Sequence, residues 1–287
     1  MGDGIPPSSP WFQGGDTMGE VFSFVPNDGR SNVNCCAQVS MVRHQGGLEI
    51  HKLDSIAQEV RVRVFVDGIE RRPLMCSPWD LQELVVGSLF IEGVIECSND
   101  LDDVQVDYGT LTAYVALSDA CRVRHTGEGA ARFALAPRRH GFSLKPDEVL
   151  RAIGKLEDGS ALFHRTGGVH CAALLDKDDF ACWFEDIGRH NALDKLAGWC
   201  VLHNVDVSDK PLVFSGRIPY EIISKVARLG CPMIISPGAP TSLSVEIAQE
   251  CGIALVGFAK HGRFNVYASF DSVNAGDTRE EKVLMAL

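Results

Sequence analysis

The chain has 287 residues and a formal net charge of −11, from 27 Lys and Arg against 38 Asp and Glu. That balance argues against a general nucleic-acid binder, because such proteins bind by neutralising phosphates with basic side chains. No apolar run approaches the roughly 20 residues that a membrane span needs. The opening MGDGIPPSSPWFQGGD lacks the basic and apolar segments of a secretory signal, so a cytoplasmic protein is expected.

Residues 1–45 are rich in Gly, Pro, Ser and Asn without sustained periodicity, and read as a flexible tail. The alternation in VRVRVFVDG (60–68) marks a strand that turns at Asp67–Gly68. Ser77, Pro78 and Asp80 then read as a helix start, with Ser77 as N-cap and Pro78 at the first helical position. The helix keeps Leu81, Leu84, Val85, Ser88, Leu89 and Ile95 on one side. Strands at 104–108 and 111–117 lead into a loop rich in Arg, Gly and His (118–141), and an amphipathic helix covers 146–157. From 160 onward, strands (171–176, 180–185, 212–214, 233–235, 253–258, 264–268) are interleaved with helices (189–203, 219–229, 242–251). That alternation predicts a parallel sheet with right-handed crossovers. The expected fold class is α/β: a tail (1–45), a β-rich N-terminal domain (46–141), a three-layer α/β domain (142–270) and a C-terminal tail (271–287).

Ten cysteines are present, and none forms a C-x-x-C. A zinc ribbon or thioredoxin-like pair is therefore unsupported, no metal site is expected, and most of the thiols read as small core residues. Chemistry gathers instead at glycine turns of the α/β domain. TGGVH, with Thr166, Gly167, Gly168 and His170, precedes a strand. EDIGRH follows one and supplies Asp186, Arg189 and His190. SGR (Ser215, Gly216, Arg217) and SPGAPTS (236–242) each close a strand and open a helix. Ligands of open α/β sheets collect at the carboxyl ends of strands, where glycines let backbone amides approach a phosphate. The helix start within EDIGRHNALDK (185–195) also offers unpaired N–H groups and the positive end of a dipole to an anion. Each turn taken alone is readable as an ordinary turn or capped helix start, but several on one sheet edge predict a shared ligand site. FAKHGR (Phe258, Ala259, Lys260, His261, Gly262, Arg263) is either a cationic loop beside an aromatic ring, suited to a guanine nucleotide, or a solvated hairpin turn.

Taken together these motifs resemble the formate dehydrogenase accessory sulfurtransferase family, FdhD. The resemblance runs from Asp54 to Ala268 through DSIAQEVRVRVFVDG, MCSPWDLQELVVGSLFIEGVI, TGGVHCAA, EDIGRHNALDK, SGRIPYEIISKVARLG, APTSLSVEIAQECG and LVGFAKHGRFNVY. It implies a cytoplasmic homodimer with a cytidine-deaminase-like C-terminal domain. It also implies a sulfur carrier that takes persulfide sulfur from a cysteine desulfurase and passes it to molybdenum cofactor. The cofactor is the bis(molybdopterin guanine dinucleotide) form, held as a client and not as a tightly bound group, and is delivered to formate dehydrogenase or a related molybdoenzyme. Phe258–Arg263 match the family's guanine-nucleotide loop, with the TGG, EDIGRH and SGR residues lining the site.

The family's sulfur-carrying loop reads Cys-Gly-x-Cys-Gly, whereas this chain has SDACRVRHTGEG. One alignment makes Cys121 the sulfur acceptor, with Arg124 in place of the second cysteine and Arg122 and His125 in place of the glycines. Three basic neighbours are then expected to lower the thiol pKa. The other alignment sets PRRHG (137–141) opposite the loop, with no cysteine. The alternative function is a cofactor-binding chaperone without sulfur transfer.

Overall fold

A computed structural model describes residues 35–126 and 142–274. The N-terminal expectations 1–34, the PRRHG segment and most of the C-terminal tail lie outside them. The first elements, β1 (Cys36–Gln45) and β2 (Leu48–Ala57), pair antiparallel along their whole length and turn at Gly46–Gly47. Both glycines have positive φ, +60° and +79°, as the tight two-residue turn of a right-twisting hairpin requires. Residues 36–45, expected as tail, are therefore strand; their pairing partner lies in a stretch that shows no clean alternation.

The second sheet is built on β3 (Val60–Val66), whose alternation buries Val62, Val64 and Val66 and leaves Arg61 and Arg63 exposed. It is flanked by β4 (Ile69–Glu70), β5 (Leu74–Cys76) and the pair β6 (Leu101–Asp107) and β7 (Thr112–Leu117). The order is β4-β3-β7-β6, with β5 also paired to β3. Helix α1 (Leu81–Glu92) covers this sheet with Leu81, Leu84, Val85 and Leu89. It starts at Asp80, which is left-handed (φ +51°), not at Ser77. The reason is tertiary: the Ser77 hydroxyl accepts from the Ile187 amide at 3.1 Å and its own amide donates to Asp186 at 3.0 Å. The segment expected as a loop begins with a helix, α2 (Asp119–Thr126).

The larger domain contains α3 (Pro146–Gly159), α4 (Ala161–Thr166), β8 (His170–Asp176), β9 (Asp179–Asp186), α5 (Arg189–Leu202) and β10 (Leu212–Phe214). It continues with α6 (Tyr220–Leu229), β11 (Met233–Ile235), α7 (Ser242–Cys251), β12 (Ala254–Lys260) and β13 (Arg263–Ala268). The strand order is β13-β12-β11-β10-β8-β9. Only β10, β11 and β12 run parallel; β8, β9 and β13 join antiparallel, so the sheet is mixed and not parallel throughout. Two-residue connections at Lys177–Asp178 and His261–Gly262 leave no room for a crossover, which dictates antiparallel neighbours. One face packs Leu174, Phe214, Ile234 and Leu255 against α5, α6 and α7, and the other packs Ala173, Val213, Ile235 and Val256 against α3. Three layers result.

The two domains meet where α1 crosses α5. A Cβ added at Gly87 would lie 1.7 Å from the Asp194 carbonyl oxygen, and one at Gly198 would lie 1.9 Å from that of Glu83. The two helix backbones are thus in direct contact, an approach that only glycine permits. No helix among the described residues is long and apolar enough to cross a membrane.

Candidate functional site

The parallel strands β10 and β11 end side by side, and each runs into a glycine turn before its helix. Ser236 donates to the Gly216 carbonyl at 2.5 Å while accepting from the Gly238 amide at 2.9 Å, which locks the SGR and SPG turns together. The turns touch backbone to backbone: a Cβ at Gly238 would lie 2.6 Å from Gly216 O and 2.8 Å from Arg217 N. At Gly216 it would meet the Phe214 ring at 2.9 Å. Neighbouring β8 contributes His170, whose Nδ1 lies 3.3 Å from the Ser215 hydroxyl, and Ser215 also accepts from the Cys171 amide at 2.8 Å. The N-terminus of α5 adds Arg189.

These elements enclose a cleft of about 400 Å³ lined by His170, Arg189, Ser215, Gly216, Arg217, Pro237 and Gly238. That size suits a small-molecule ligand. Arg189 and Arg217 make no ion pair among the described residues, and the Arg189 Nε is buried there without a hydrogen-bond partner. A buried donor left unpaired costs free energy unless a ligand satisfies it. Burial and then the adjacent Arg189 charge hold the His170 pKa below its ordinary 6.5, so the ring is neutral at pH 7. Burial followed by the Lys225 and Arg189 charges does the same for His190. The cleft presents two unpaired guanidinium groups, a neutral imidazole and close backbone. That is a donor set for an anion with several oxygens, such as a diphosphate.

Five of the expected residues converge here: His170, Arg189, Ser215, Gly216 and Arg217. Others do not. Asp186 is fully buried and bonded to Lys195 Nζ (2.8 Å), Asn191 Nδ2 (2.9 Å) and the amides of Gly188 (2.9 Å) and Ser77 (3.0 Å). With its acceptor capacity filled by protein, Asp186 is a domain anchor and not a ligand contact. Thr166, Gly167 and Gly168 cap α4: the Gly167 amide reaches the Phe163 carbonyl, and Thr166 Oγ1 accepts from the Gly168 amide at 3.1 Å. His190 lies on α5 outside the cleft lining, near Lys225.

FAKHGR is a hairpin, with Lys260 paired to Arg263 across a turn in which His261 and Gly262 both have positive φ. Its Phe258 amide donates to the Gly238 carbonyl at 3.1 Å, which brings the hairpin against the cleft rim. Ala259 points into the core and is fully buried. Pro237 and Gly238 also line the cleft, beyond what the SPGAPTS turn signal in the sequence implies. A motif shows that a strand ends, but not which neighbouring strand ends beside it.

Cys121 departs most from expectation. It lies on α2, is fully buried, and donates from Sγ to the Val94 carbonyl at 3.3 Å. Burial raises its thiol pKa. Arg124 hydrogen-bonds the thiol and opposes that rise without outweighing burial, while also pairing with Asp100 (2.5 Å); Arg122 pairs with Asp67 (2.9 Å) and Asp119 (2.8 Å). The expected thiolate-favouring loop is thus replaced by a packed helix whose cations are neutralised by carboxylates. Among the described residues, no group of three or more His, Cys, Asp or Glu side chains could hold a metal ion.

Comparison with known proteins adds a second line of information. Residues 57–274 match the model of the FdhD/NarQ family. A Bacillus licheniformis protein named sulfur carrier protein FdhD is 36% identical over 257 residues, covering 84% of this chain and 98% of that one. One of the same name from Bacillus pumilus is 37% identical over 233 residues, covering 75% and 89%. A solved protein from Desulfotalea psychrophila, proposed to be a formate dehydrogenase accessory protein, superposes with a TM-score of 0.73. It is 24% identical, over 84% of this chain and all of that one, and so speaks for the fold.

Proposed function

This chain belongs to the FdhD/NarQ family, and from that premise we propose that it is a sulfur carrier for formate dehydrogenase maturation. Its client is the bis(molybdopterin guanine dinucleotide) form of molybdenum cofactor. The chain takes sulfur from a cysteine desulfurase, works in the cytoplasm as a homodimer, and hands the cofactor to formate dehydrogenase or a related molybdoenzyme. The cytidine-deaminase-like class is our reading of the three-layer domain.

One observation carries the binding half of this reading: two arginines without acid partners face a cleft whose walls are Gly216 and Gly238. A side chain at Gly216 would strike the Phe214 ring and one at Gly238 the facing SGR backbone, so the close packing of the two turns that shapes the cleft wall requires glycine. Arg189 and Arg217 would hold the diphosphate of one guanine nucleotide, with the neutral His170 and Ser215 beside it. The FAKHGR hairpin, tied to Gly238, would border the base. Titration calorimetry with guanosine diphosphate tests the cleft. Saturable binding that is lost in Arg189→Ala and Arg217→Ala supports it, and binding indifferent to both changes refutes it.

The burial of Cys121 favours a second reading, a chaperone that holds the cofactor without carrying sulfur. Exposure to a persulfide-loaded cysteine desulfurase decides between them. Sulfur appearing on any cysteine of this chain supports the carrier, and sulfur on none supports the chaperone.

A further inference from the structure

We propose that the vicinal thiols Cys35 and Cys36, at the root of the β1–β2 ribbon, are the sulfur-carrying site of this chain, with Cys36 as the acceptor. This rests on the sulfur-carrier reading above and moves the chemistry away from Cys121. All ten cysteines fall within the described residues, so the inventory of thiols is complete. Seven are buried (76, 121, 171, 182, 200, 231 and 251), and a donor sulfur that must come within bonding distance of about 2.05 Å cannot reach them. Only Cys35, Cys36 and Cys97 meet solvent.

Position separates these three. Cys97 adjoins Ser98, whose hydroxyl bonds Asn204 just beyond the C-terminal end of α5. Arg189 stands at the other end of that helix, roughly 20 Å away at 1.5 Å per residue. Cys36 instead pairs with Ala57, and a Cβ added at Gly168 would lie 3.2 Å from Ala57 Cβ. Gly168 stands two residues before His170 in the cleft wall, about 7 Å of extended chain. The pair thus sits beside the proposed cofactor site.

Adjacency fits storage of sulfur. Successive Cα atoms lie about 3.8 Å apart, closer than the usual 4.4–6.8 Å span of a disulfide, so the two thiols are poorly placed to close on each other. Burial, followed by the charges of Cys36 and Glu185, pushes the Cys35 thiol up to about 11, which keeps it protonated at neutral pH. Cys36, which opens β1 opposite Ala57 on the Gly168 side, is the attacking group, whereas Cys35 precedes the strand. Its sulfur bonds to the outer sulfur of the donor persulfide, and the donor S–S bond breaks with its electron pair on the inner sulfur. The proton from Cys36 passes to that leaving sulfur. The products are a Cys36 persulfide and a donor thiol, with no external oxidant. Attack by an acceptor thiol on the terminal sulfur reverses the step.

The test uses the full chain, catalytic amounts of a cysteine desulfurase, cysteine as sulfur source, and peptide mapping by mass spectrometry. The added sulfur is expected on Cys36, lost in Cys36→Ser and kept in Cys35→Ser and Cys97→Ser. Sulfur on Cys97 or Cys121, or sulfur that persists in Cys36→Ser, overturns the proposal. Guanosine diphosphate titration of Cys36→Ser runs in parallel as a measure of intact fold, with unchanged affinity expected. Sulfur on no residue of a nucleotide-binding chain overturns both the carrier reading and this assignment. Sulfur on Cys36 without nucleotide binding upholds the assignment and sinks the cleft reading alone.

Discussion

The stretch Glu185–Lys195 serves two regions of opposite character. On one side Asp186 and Lys195 are fully buried and bonded to each other at 2.8 Å, and Lys195 Nζ also donates to the Glu185 carbonyl at 3.0 Å and lies 5.0 Å from the Trp79 ring centroid. Trp79 Nε1 donates to the same carbonyl at 3.1 Å. Every strong group there has a protein partner, and the cluster ties the segment before α1 to the start of α5. Three residues after Asp186, Arg189 faces the cleft with a buried Nε and no partner among the described residues. In one sequence motif, the satisfied charges hold the domains together, and the unsatisfied one is available to a ligand.

That contrast can be broken by experiment. The largest effect is expected at the joint itself: Gly198→Ala forces a methyl into the Glu83 carbonyl and should remove about 4 kcal/mol or more of stability. Soluble yield and thermal melting would show it, and a melting temperature close to wild type would mean that the two helices separate easily. Asp186→Ala leaves Lys195 buried and unpaired and should cost about 3–5 kcal/mol in urea unfolding. The folded fraction should still bind guanosine diphosphate; coincident loss of binding would return Asp186 to the cleft. Arg189→Ala should do the reverse. Its nucleotide affinity should fall roughly 10- to 100-fold, the worth of a hydrogen bond to a charged group, with the melting temperature unchanged.

The smallest effect is a pH slope. Burial raises the Asp194 pKa from 3.8 to about 6, against the attraction of Lys225 at 2.6 Å. A carboxyl raised in the folded state contributes stability below its unfolded pKa, and that contribution is lost as pH rises through about 6. Relative to Asp194→Asn, the wild-type chain should therefore lose on the order of 2 kcal/mol between pH 4 and pH 7. Parallel unfolding curves for the two proteins across that range would contradict the burial argument.

Local pattern was enough to read much of this molecule. Helices α5, α6 and α7 and strands β10 and β11 follow from apolar spacing and glycine punctuation within single stretches. The cleft was half legible for the same reason: SGR, SPG and GRH each announce a strand end or helix start. Ser77 looks like a helix cap but is not one, because its hydroxyl and amide go to residues more than a hundred positions away, which no local rule can see. The β1–β2 ribbon has no such local signature, because its residues pair across the hairpin with little burial to impose an alternating pattern.

By itself, then, the sequence determined the layered α/β class, the glycine turns and the family likeness, because these depend on short-range periodicity and fixed motif spacing. Tertiary structure alone decided which charges are consumed and which are free. It set Asp186 against Lys195, left Arg189 and Arg217 at an open cleft, and closed Cys121 inside a core while leaving Cys36 within reach of solvent. Burial and partner choice arise from contacts between distant segments, and those contacts separate an anchor from a site.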